Sequence, residues 1–82
     1  MYNGENGFYP QGQYLVGEDI PPGSYIFTSI GEDKGEIRLF STYKKFEAQE
    51  ETVWESFYGQ YHMPLRKEGV YLLLENATMQ RV

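Results

Sequence analysis

Aromatic side chains form the clearest candidate binding site in this sequence. Trp54, Phe57, Tyr58 and Tyr61 fall within eight residues of one another. Exposed Tyr and Trp rings stack on sugars or anchor protein partners, because they combine apolar area with a polar tip. Strand alternation places Trp54 and Tyr58 on one face and Phe57 on the other. The cluster therefore predicts a ligand-binding row at Trp54, Tyr58 and Tyr61, with core packing of the same rings as the alternative.

Groups that catalyse hydrolysis, transfer or redox reactions are scarce. His62 is the single histidine and cysteine is absent, which excludes thiolate chemistry, disulfides and His- or Cys-rich metal sites. No Gly-x-Ser-x-Gly segment marks a serine nucleophile. The neighbours of His62 are Tyr61 and Met63 in a predicted strand, which favours packing or a surface position over catalysis. We predict a non-enzymatic protein with no catalytic residue, no metal ligand and no cofactor.

Acidic residues form three groups along the chain. Glu18 with Asp19, and the carboxylates of 32–36, lie in predicted turns without the alternating Asp/Asn spacing of a calcium loop. The third group, 47–55, is typical of a solvated face with helical ion pairs. The 12 acidic residues outnumber 7 scattered basic ones, for a net charge of −5. This balance argues against a nucleic-acid partner.

Chain length and hydropathy bound what the protein can build. With 82 residues, of which 17% are aromatic, one small core stabilised by buried rings is expected. No apolar run approaches the ~20 residues that span a bilayer. The first residues lack the basic start and apolar stretch of a signal peptide. We predict no membrane insertion by this segment.

Short β-rich runs separated by Gly, Pro, Asp and Asn predict an all-β fold. Seven strands are expected, at residues 14–16, 24–30, 36–40, 52–58, 60–65, 70–74 and 78–82. Residues 43–58 fit either a helix or a strand, and we favour a short helix near 43–50 that runs into a strand. The fold class is a small antiparallel β-sandwich or a partly closed barrel of about seven strands.

The segment 70–74 is apolar on both faces, which predicts the most central strand of the core. Truncation of Leu73 to alanine is therefore expected to lower the free energy of unfolding by ~2–5 kcal/mol.

Residues 1–13 are rich in Gly, Asn and Gln and have no hydrophobic period. This composition predicts a flexible N-terminal arm ahead of a single β domain at 14–82. The arm also contains Tyr2, Phe8 and Tyr9. Docking of these rings onto the domain or a neighbouring subunit is the alternative to disorder.

A structural motif stands out in V-G-E-D-I-P-P-G-S-Y, residues 16–25. Its prolines fix φ and interrupt the strand ladder, and Gly23 is expected to adopt the positive φ of a type II turn. A second corner repeats the Gly-x-Tyr step at Gly69 and Tyr71. The motif residues are Asp19, Ile20, Pro21, Gly23, Tyr25, Gly69 and Tyr71.

Residues 14–25, followed by 64–72 and 76–78, resemble a small β module that recurs in Gram-positive bacterial proteins. Its members follow the pattern V-G-x-D-I-P-x-G-x-Y, then an irregular middle, then L-K-x-G-x-Y-L and a final strand. The similarity covers 14–82 in outline, and 41–60 has no counterpart. The resemblance implies a binding or scaffolding role in secreted or membrane-anchored proteins, and it supplies no catalytic residues.

These features predict a non-enzymatic interaction module, for a protein partner or at the cell envelope. One alternative is carbohydrate or cell-wall glycan binding through Trp54, Tyr58 and Tyr61. The other is a homo-oligomer formed by edge-strand pairing, with the segment 1–13 crossing to a neighbour.

Overall fold

Short strands build two antiparallel sheets in residues 8–82, the part of the chain that this computed structural model describes. The elements are β1 (Phe8–Tyr9), β2 (Gly12–Leu15), β3 (Gly23–Ser29), β4 (Gly35–Phe40), α1 (Tyr43–Glu47), β5 (Val53–Phe57), β6 (Gln60–Leu65), β7 (Tyr71–Glu75) and β8 (Ala77–Arg81). The first sheet has the order β1-β8-β3-β6 and the second β2-β7-β4-β5. This confirms the all-β sandwich, while no closed barrel forms within the described range.

Consecutive strands occupy corresponding places in the two sheets. One side of the sandwich has the edge strands β1 and β2, and the opposite side has β5 and β6. The pairs β7 and β8, and β3 and β4, lie between them. This order is that of a jelly roll, in which the chain keeps crossing from one sheet to the other. Segment 70–74, predicted as the most central strand, forms most of the interior strand β7, which lies between β2 and β4.

Alternate residues of the strands fill the space between the sheets. Tyr25 and Phe27 of β3 and Leu72 of β7 are completely buried, and Leu74 is 1% exposed. Leu73 points to the outer face of the second sheet and is only partly buried. The prediction that Leu73 belongs to the core is therefore wrong, because adjacent residues of a strand point to opposite faces.

The motif at 16–25 forms a corner between β2 and β3. The Asp19 carboxylate accepts a hydrogen bond of 2.7 Å from the backbone N–H of Leu15. Val16 and Ile20 form a parallel bridge, and each is 1% exposed. The Tyr25 hydroxyl donates to the carbonyl of Pro21. This contact is a tyrosine corner, which fixes the path of the chain into β3.

In this motif the residue with positive φ is Gly17 and not the predicted Gly23. Gly23 opens β3 and is not among the described residues with positive φ, so that prediction is wrong. Gly17 has φ 101° instead, and a Cβ there would lie 3.1 Å from Cγ of Glu68. Gly69 has φ 90° at the second corner. Gly23 has an extended backbone because it pairs with Leu65 of β6.

Residues 8–13, predicted as part of a flexible arm, are folded into the sandwich. β1 pairs with β8, and β2 pairs with β7. The cause is Tyr9, which is 6% exposed and packs its ring 5.6 Å from Tyr14 and 6.3 Å from Tyr25. The predicted boundary at residue 14 therefore falls inside β2, and the rest of the arm, 1–7, lies outside the described residues.

The short helix predicted near 43–50 is present as α1. Thr42 caps it, because its Oγ1 accepts a 3.1 Å hydrogen bond from the N–H of Lys45. Phe46 packs on the outer face of the second sheet, stacked 5.0 Å from Tyr71 and edge-on 5.3 Å from Phe40. Within 8–82 no helix is long and apolar enough to cross a membrane.

Candidate functional site

The three aromatic residues predicted as a binding row do not share one surface. Trp54 points outward from the second sheet and is 55% exposed. Tyr58 lies in the turn between β5 and β6 and is 72% exposed. Tyr61 belongs to the first sheet, packs against the core and stacks on Phe57 with ring centroids 5.7 Å apart. The core-packing alternative thus holds for Phe57 and Tyr61, and Trp54 and Tyr58 remain exposed.

Trp54 is restrained by two side chains of the neighbouring strand. The register of β4 and β5 places Arg38 opposite Trp54. The guanidinium carbon of Arg38 lies 4.6 Å from the centre of the indole, within the range of a cation–π contact. The indole Nε1 donates a 3.0 Å hydrogen bond to Oε1 of Glu36. The ring is therefore exposed to solvent and also held in one orientation.

Arg38 stands at the centre of three carboxylates. Its guanidinium nitrogens lie 3.2 Å from Glu75, 3.7 Å from Glu51 and 4.0 Å from Glu36. The Nε atom of Arg38 is buried and has no hydrogen-bond partner in the described part of the chain. Three carboxylates around one guanidinium leave an excess of two negative charges beside the indole.

An apolar residue completes this surface. Leu73 of β7 lies beside Arg38 in the register, on the side opposite to Trp54. It is partly buried, and the next residue in the same row is Gln13 of β2. We call the surface formed by Glu36, Arg38, Glu51, Trp54, Leu73 and Glu75 the Trp54 face.

The outer face of the first sheet has a different character. Ile26 of β3 lies between Gln80 of β8 and His62 of β6, and Thr28 lies opposite Thr78. His62 is exposed at the surface. We call the surface formed by Phe8, Ile26, Thr28, His62, Thr78 and Gln80 the His62 face, and it contains no carboxylate.

The two tyrosines with shifted pKa values are structural. Burial raises the pKa of Tyr25 to about 12, the charge of Tyr9 adds to this shift, and Arg81 opposes it. Tyr25 therefore remains a neutral donor to Pro21 at physiological pH. A hydrogen bond with Glu47 raises the pKa of Tyr43. Neither tyrosine belongs to the Trp54 face, so these shifts do not mark a catalytic group there.

Metal-binding potential is low in the described range. Residues 8–82 contain no group of three or more His, Cys, Asp or Glu side chains placed to hold a metal ion. The carboxylates of the Trp54 face surround Arg38, whose positive charge occupies the place a cation would take. Arg38 compensates one of these three negative charges.

Two features of the structure are missing from the sequence-based predictions. The segments 10–14 and 21–25 are both Pro-x-Gly-x-Tyr, and in each the Tyr hydroxyl donates to the carbonyl of the Pro four residues earlier. This repeat is visible in the printed sequence, and it places one corner between β1 and β2 and the other between β2 and β3. The other feature is Arg38, whose position between hydrophobic strand residues signals a need for partners, while Glu51 and Glu75 are identified only by the register.

No protein-family model, curated protein or solved structure matches the chain.

Proposed function

We propose that this chain is a non-enzymatic interaction module that binds a protein partner through the Trp54 face. The observation that carries the proposal is the indole of Trp54, which is 55% exposed yet restrained by Arg38 and Glu36. Binding hot spots are enriched in Trp, because its large ring excludes water from a partner's pocket. A ring that is already oriented loses little conformational entropy when it is covered.

The surroundings of Trp54 support a binding role. Charged groups at the rim of an interface select partners and orient them, and Glu75 of the Trp54 face has a side chain that is 52% exposed. The resemblance of 14–82 to a module of Gram-positive proteins points to the same binding or scaffolding role. On the His62 face the large exposed ring is Phe8, at 41%, and within residues 8–82 no cation–π contact restrains it.

The alternative of glycan binding requires Trp54, Tyr58 and Tyr61 on one surface, and these residues do not share one. Stacking along an oligosaccharide uses several rings on one surface, whereas Tyr61 packs inward from the first sheet and Trp54 points outward from the second. A single anchor with charged neighbours favours a protein partner over a glycan chain. Binding of an oligosaccharide at Trp54 is the opposing outcome in the experiments below.

The edge-pairing alternative meets physical obstacles at one side of the sandwich. Pro64 lies in β6 and cannot donate a backbone hydrogen bond to an added strand. Glu55 lies in β5 opposite the buried Ile37, so its charge points inward at the edge. Both devices protect natural sheet edges against pairing with another chain. The Trp54 face needs no such pairing to bind a partner.

The binding surface is tested by affinity capture on three immobilised proteins: the unchanged chain, Trp54→Ala and Tyr58→Ala. A captured protein is identified by mass spectrometry, purified and rebound in solution. Trp54→Ala should weaken this purified pair about tenfold or more, because hot-spot truncations cost at least that much. Tyr58→Ala is the matched control, since Tyr58 is exposed outside the Trp54 face. Equal affinities for Trp54→Ala and the unchanged chain would refute the proposed surface.

The non-enzymatic part of the proposal is tested with a panel of ester, phosphate and glycoside substrates. We expect no turnover above the uncatalysed rate. Turnover that disappears in His62→Ala would overturn this part, because His62 is the only imidazole base in the chain.

A further inference from the structure

We infer that the partner presents a basic segment, and that an arginine side chain of this segment stacks on the solvent side of Trp54. The inference rests on the proposed function and adds the chemical class of the ligand. It follows from the charges of the Trp54 face and from the way that face already holds a guanidinium of its own.

Arg38 shows what chemistry the Trp54 face accepts. Its guanidinium stacks on the indole at 4.6 Å and pairs with Glu75 at 3.2 Å. A planar cation therefore finds an aromatic surface and carboxylate acceptors together on this face. Arg38 lies against one side of the indole, and the 55% exposure of Trp54 leaves the rest of the ring open to solvent.

The charges left over select a second cation. Glu36, Glu51 and Glu75 surround one guanidinium, so two negative charges have no compensating cation in the cluster. The side chain of Glu75 is 52% exposed, so an incoming cation can reach its carboxylate from solvent. An anionic ligand would be repelled by this excess, and an apolar one would cover the charges without pairing them.

Other charges near the Trp54 face do not reverse this preference. Lys44 and Lys45 belong to α1, over the same outer side of the second sheet, and both are exposed. Glu47 and Glu50 follow within the same segment and balance them. The net charge of −5 adds long-range attraction for a basic partner.

Arginine fits this face better than lysine. A guanidinium is planar, so it can lie flat on the indole while its N–H groups point to carboxylate oxygens. The ammonium of lysine is a compact, strongly hydrated charge that cannot form this double contact. A preference for arginine therefore separates stacking on Trp54 from simple charge attraction.

The test measures fluorescence anisotropy of labelled hexa-arginine, hexa-lysine and hexa-glutamate peptides with the full chain. Intrinsic fluorescence of Trp54, the single Trp, follows the same titrations and one with chitohexaose. The variants are Trp54→Ala and Glu75→Gln on the Trp54 face. Their matched controls are Tyr58→Ala and Glu32→Gln, which remove an exposed ring and an exposed charge elsewhere.

We expect hexa-arginine to bind more tightly than hexa-lysine, and hexa-glutamate not to bind. Trp54→Ala should weaken hexa-arginine binding by about tenfold and Glu75→Gln by about threefold, while both controls keep the original affinity. Raising the salt concentration from about 0.05 M to about 0.5 M should weaken the binding of hexa-arginine to the unchanged chain, because salt screens exposed charges.

Equal binding of hexa-arginine by Trp54→Ala, Glu75→Gln and their controls would overturn the inference, because the attraction would then be non-specific. Chitohexaose that changes the fluorescence of Trp54 when hexa-arginine does not would overturn it in favour of a glycan. If hexa-arginine fails to bind but Trp54→Ala still loses the purified partner, the basic segment is wrong and the proposed function stands. The inference and the proposed function are both refuted if neither hexa-arginine binding nor partner binding depends on Trp54.

Discussion

The His62 face and the Trp54 face lie on opposite sides of one sandwich, yet they are built from different chemistry. On the His62 face, threonines lie opposite each other and Ile26 separates Gln80 from His62. On the Trp54 face, Arg38 joins an exposed indole to three carboxylates. Both sheets bury apolar residues on their inner sides. The fold therefore requires the inner pattern and leaves the chemistry of the two outer faces free to differ.

The helix α1 covers one part of the outer face of the second sheet. α1 packs Phe46 against Tyr71 at one end of the second sheet and leaves Trp54 uncovered. The structured chain thus shields one aromatic group of this sheet and exposes another beside it. Trp54 differs from other exposed apolar residues because Arg38 and Glu36 hold its ring in place.

The largest expected effect tests the division between inner and outer residues. Leu72→Ala should lower the free energy of unfolding by ~2–5 kcal/mol, because it opens a cavity between the sheets. Leu73→Ala, its outward neighbour, should cost no more than ~1.5 kcal/mol, since Leu73 is only partly buried. Urea unfolding of both variants measures the difference. Equal losses would mean that the outer side of β7 is also core.

The next effect concerns how closely the two sheets approach each other. A Cβ at Gly35 of β4 would lie 2.8 Å from Cζ of Phe57 and 3.0 Å from Cβ of Ala77 in the first sheet. Gly35→Ala should therefore destabilise the protein by ~1–3 kcal/mol through overpacking. Gly23→Ala is the control, expected within ~0.5 kcal/mol, because its Cβ meets the flexible side chain of Arg81. A neutral Gly35→Ala would show that the sheets can separate there at no cost.

Tyr25→Phe tests the tyrosine corner that leads the chain into β3. Loss of the hydroxyl bond to Pro21 should cost ~1–1.5 kcal/mol in unfolding experiments at neutral pH. The pKa of Tyr25 is raised from 10.0 to about 12, so unfolded chains lose this proton first and stability falls as pH rises through this interval. Tyr25→Phe should have a shallower loss of stability between these pH values. An unchanged alkaline slope would contradict burial as the cause of the shift.

The smallest effect compares the two outer faces directly. Arg38→Gln should lower stability by ~1 kcal/mol at low salt, because it leaves three carboxylates without their shared cation. The loss should shrink as salt screens their repulsion. Thr28→Ala on the His62 face should change stability by less than ~0.5 kcal/mol at any salt. A salt-independent loss for Arg38→Gln would indicate packing instead of charge as its role.

Local patterns in the sequence predict much of the fold. Alternation of Ile37 and Leu39 with Glu36 and Arg38 predicts β4, and the Lys- and Glu-rich segment near 43–50 predicts α1. Both predictions use only the residue pattern within a single element. The polar composition of 8–13 hides two strands, because what orders them is the burial of Tyr9 against Tyr14 and Tyr25.

The candidate site is less predictable because it depends on register and on a change of sheet. Alternation continues correctly from Trp54 to Phe57, but the chain turns at Gly59, which has φ 76°, and enters the first sheet. Tyr61 consequently faces the core instead of joining Trp54. Arg38 meets Glu75 through the pairing of β4 and β7, which are separated by thirty residues of sequence. No local pattern contains such a pairing.

The antiparallel pair of β1 and β8 has a mechanical consequence. Phe8 lies opposite Gln80, so the chain enters and leaves the sandwich at the same edge of the first sheet. A stretching force applied through residues 8 and 82 would load this pair in an unzipping geometry. Its hydrogen bonds would break one after another, whereas in a shear geometry they would carry the load together. Within residues 8–82, Phe8 and Tyr9 are the residues of β1 that pair with β8. Under tension, the sandwich would therefore yield first at β1, which lies in the other sheet from Trp54.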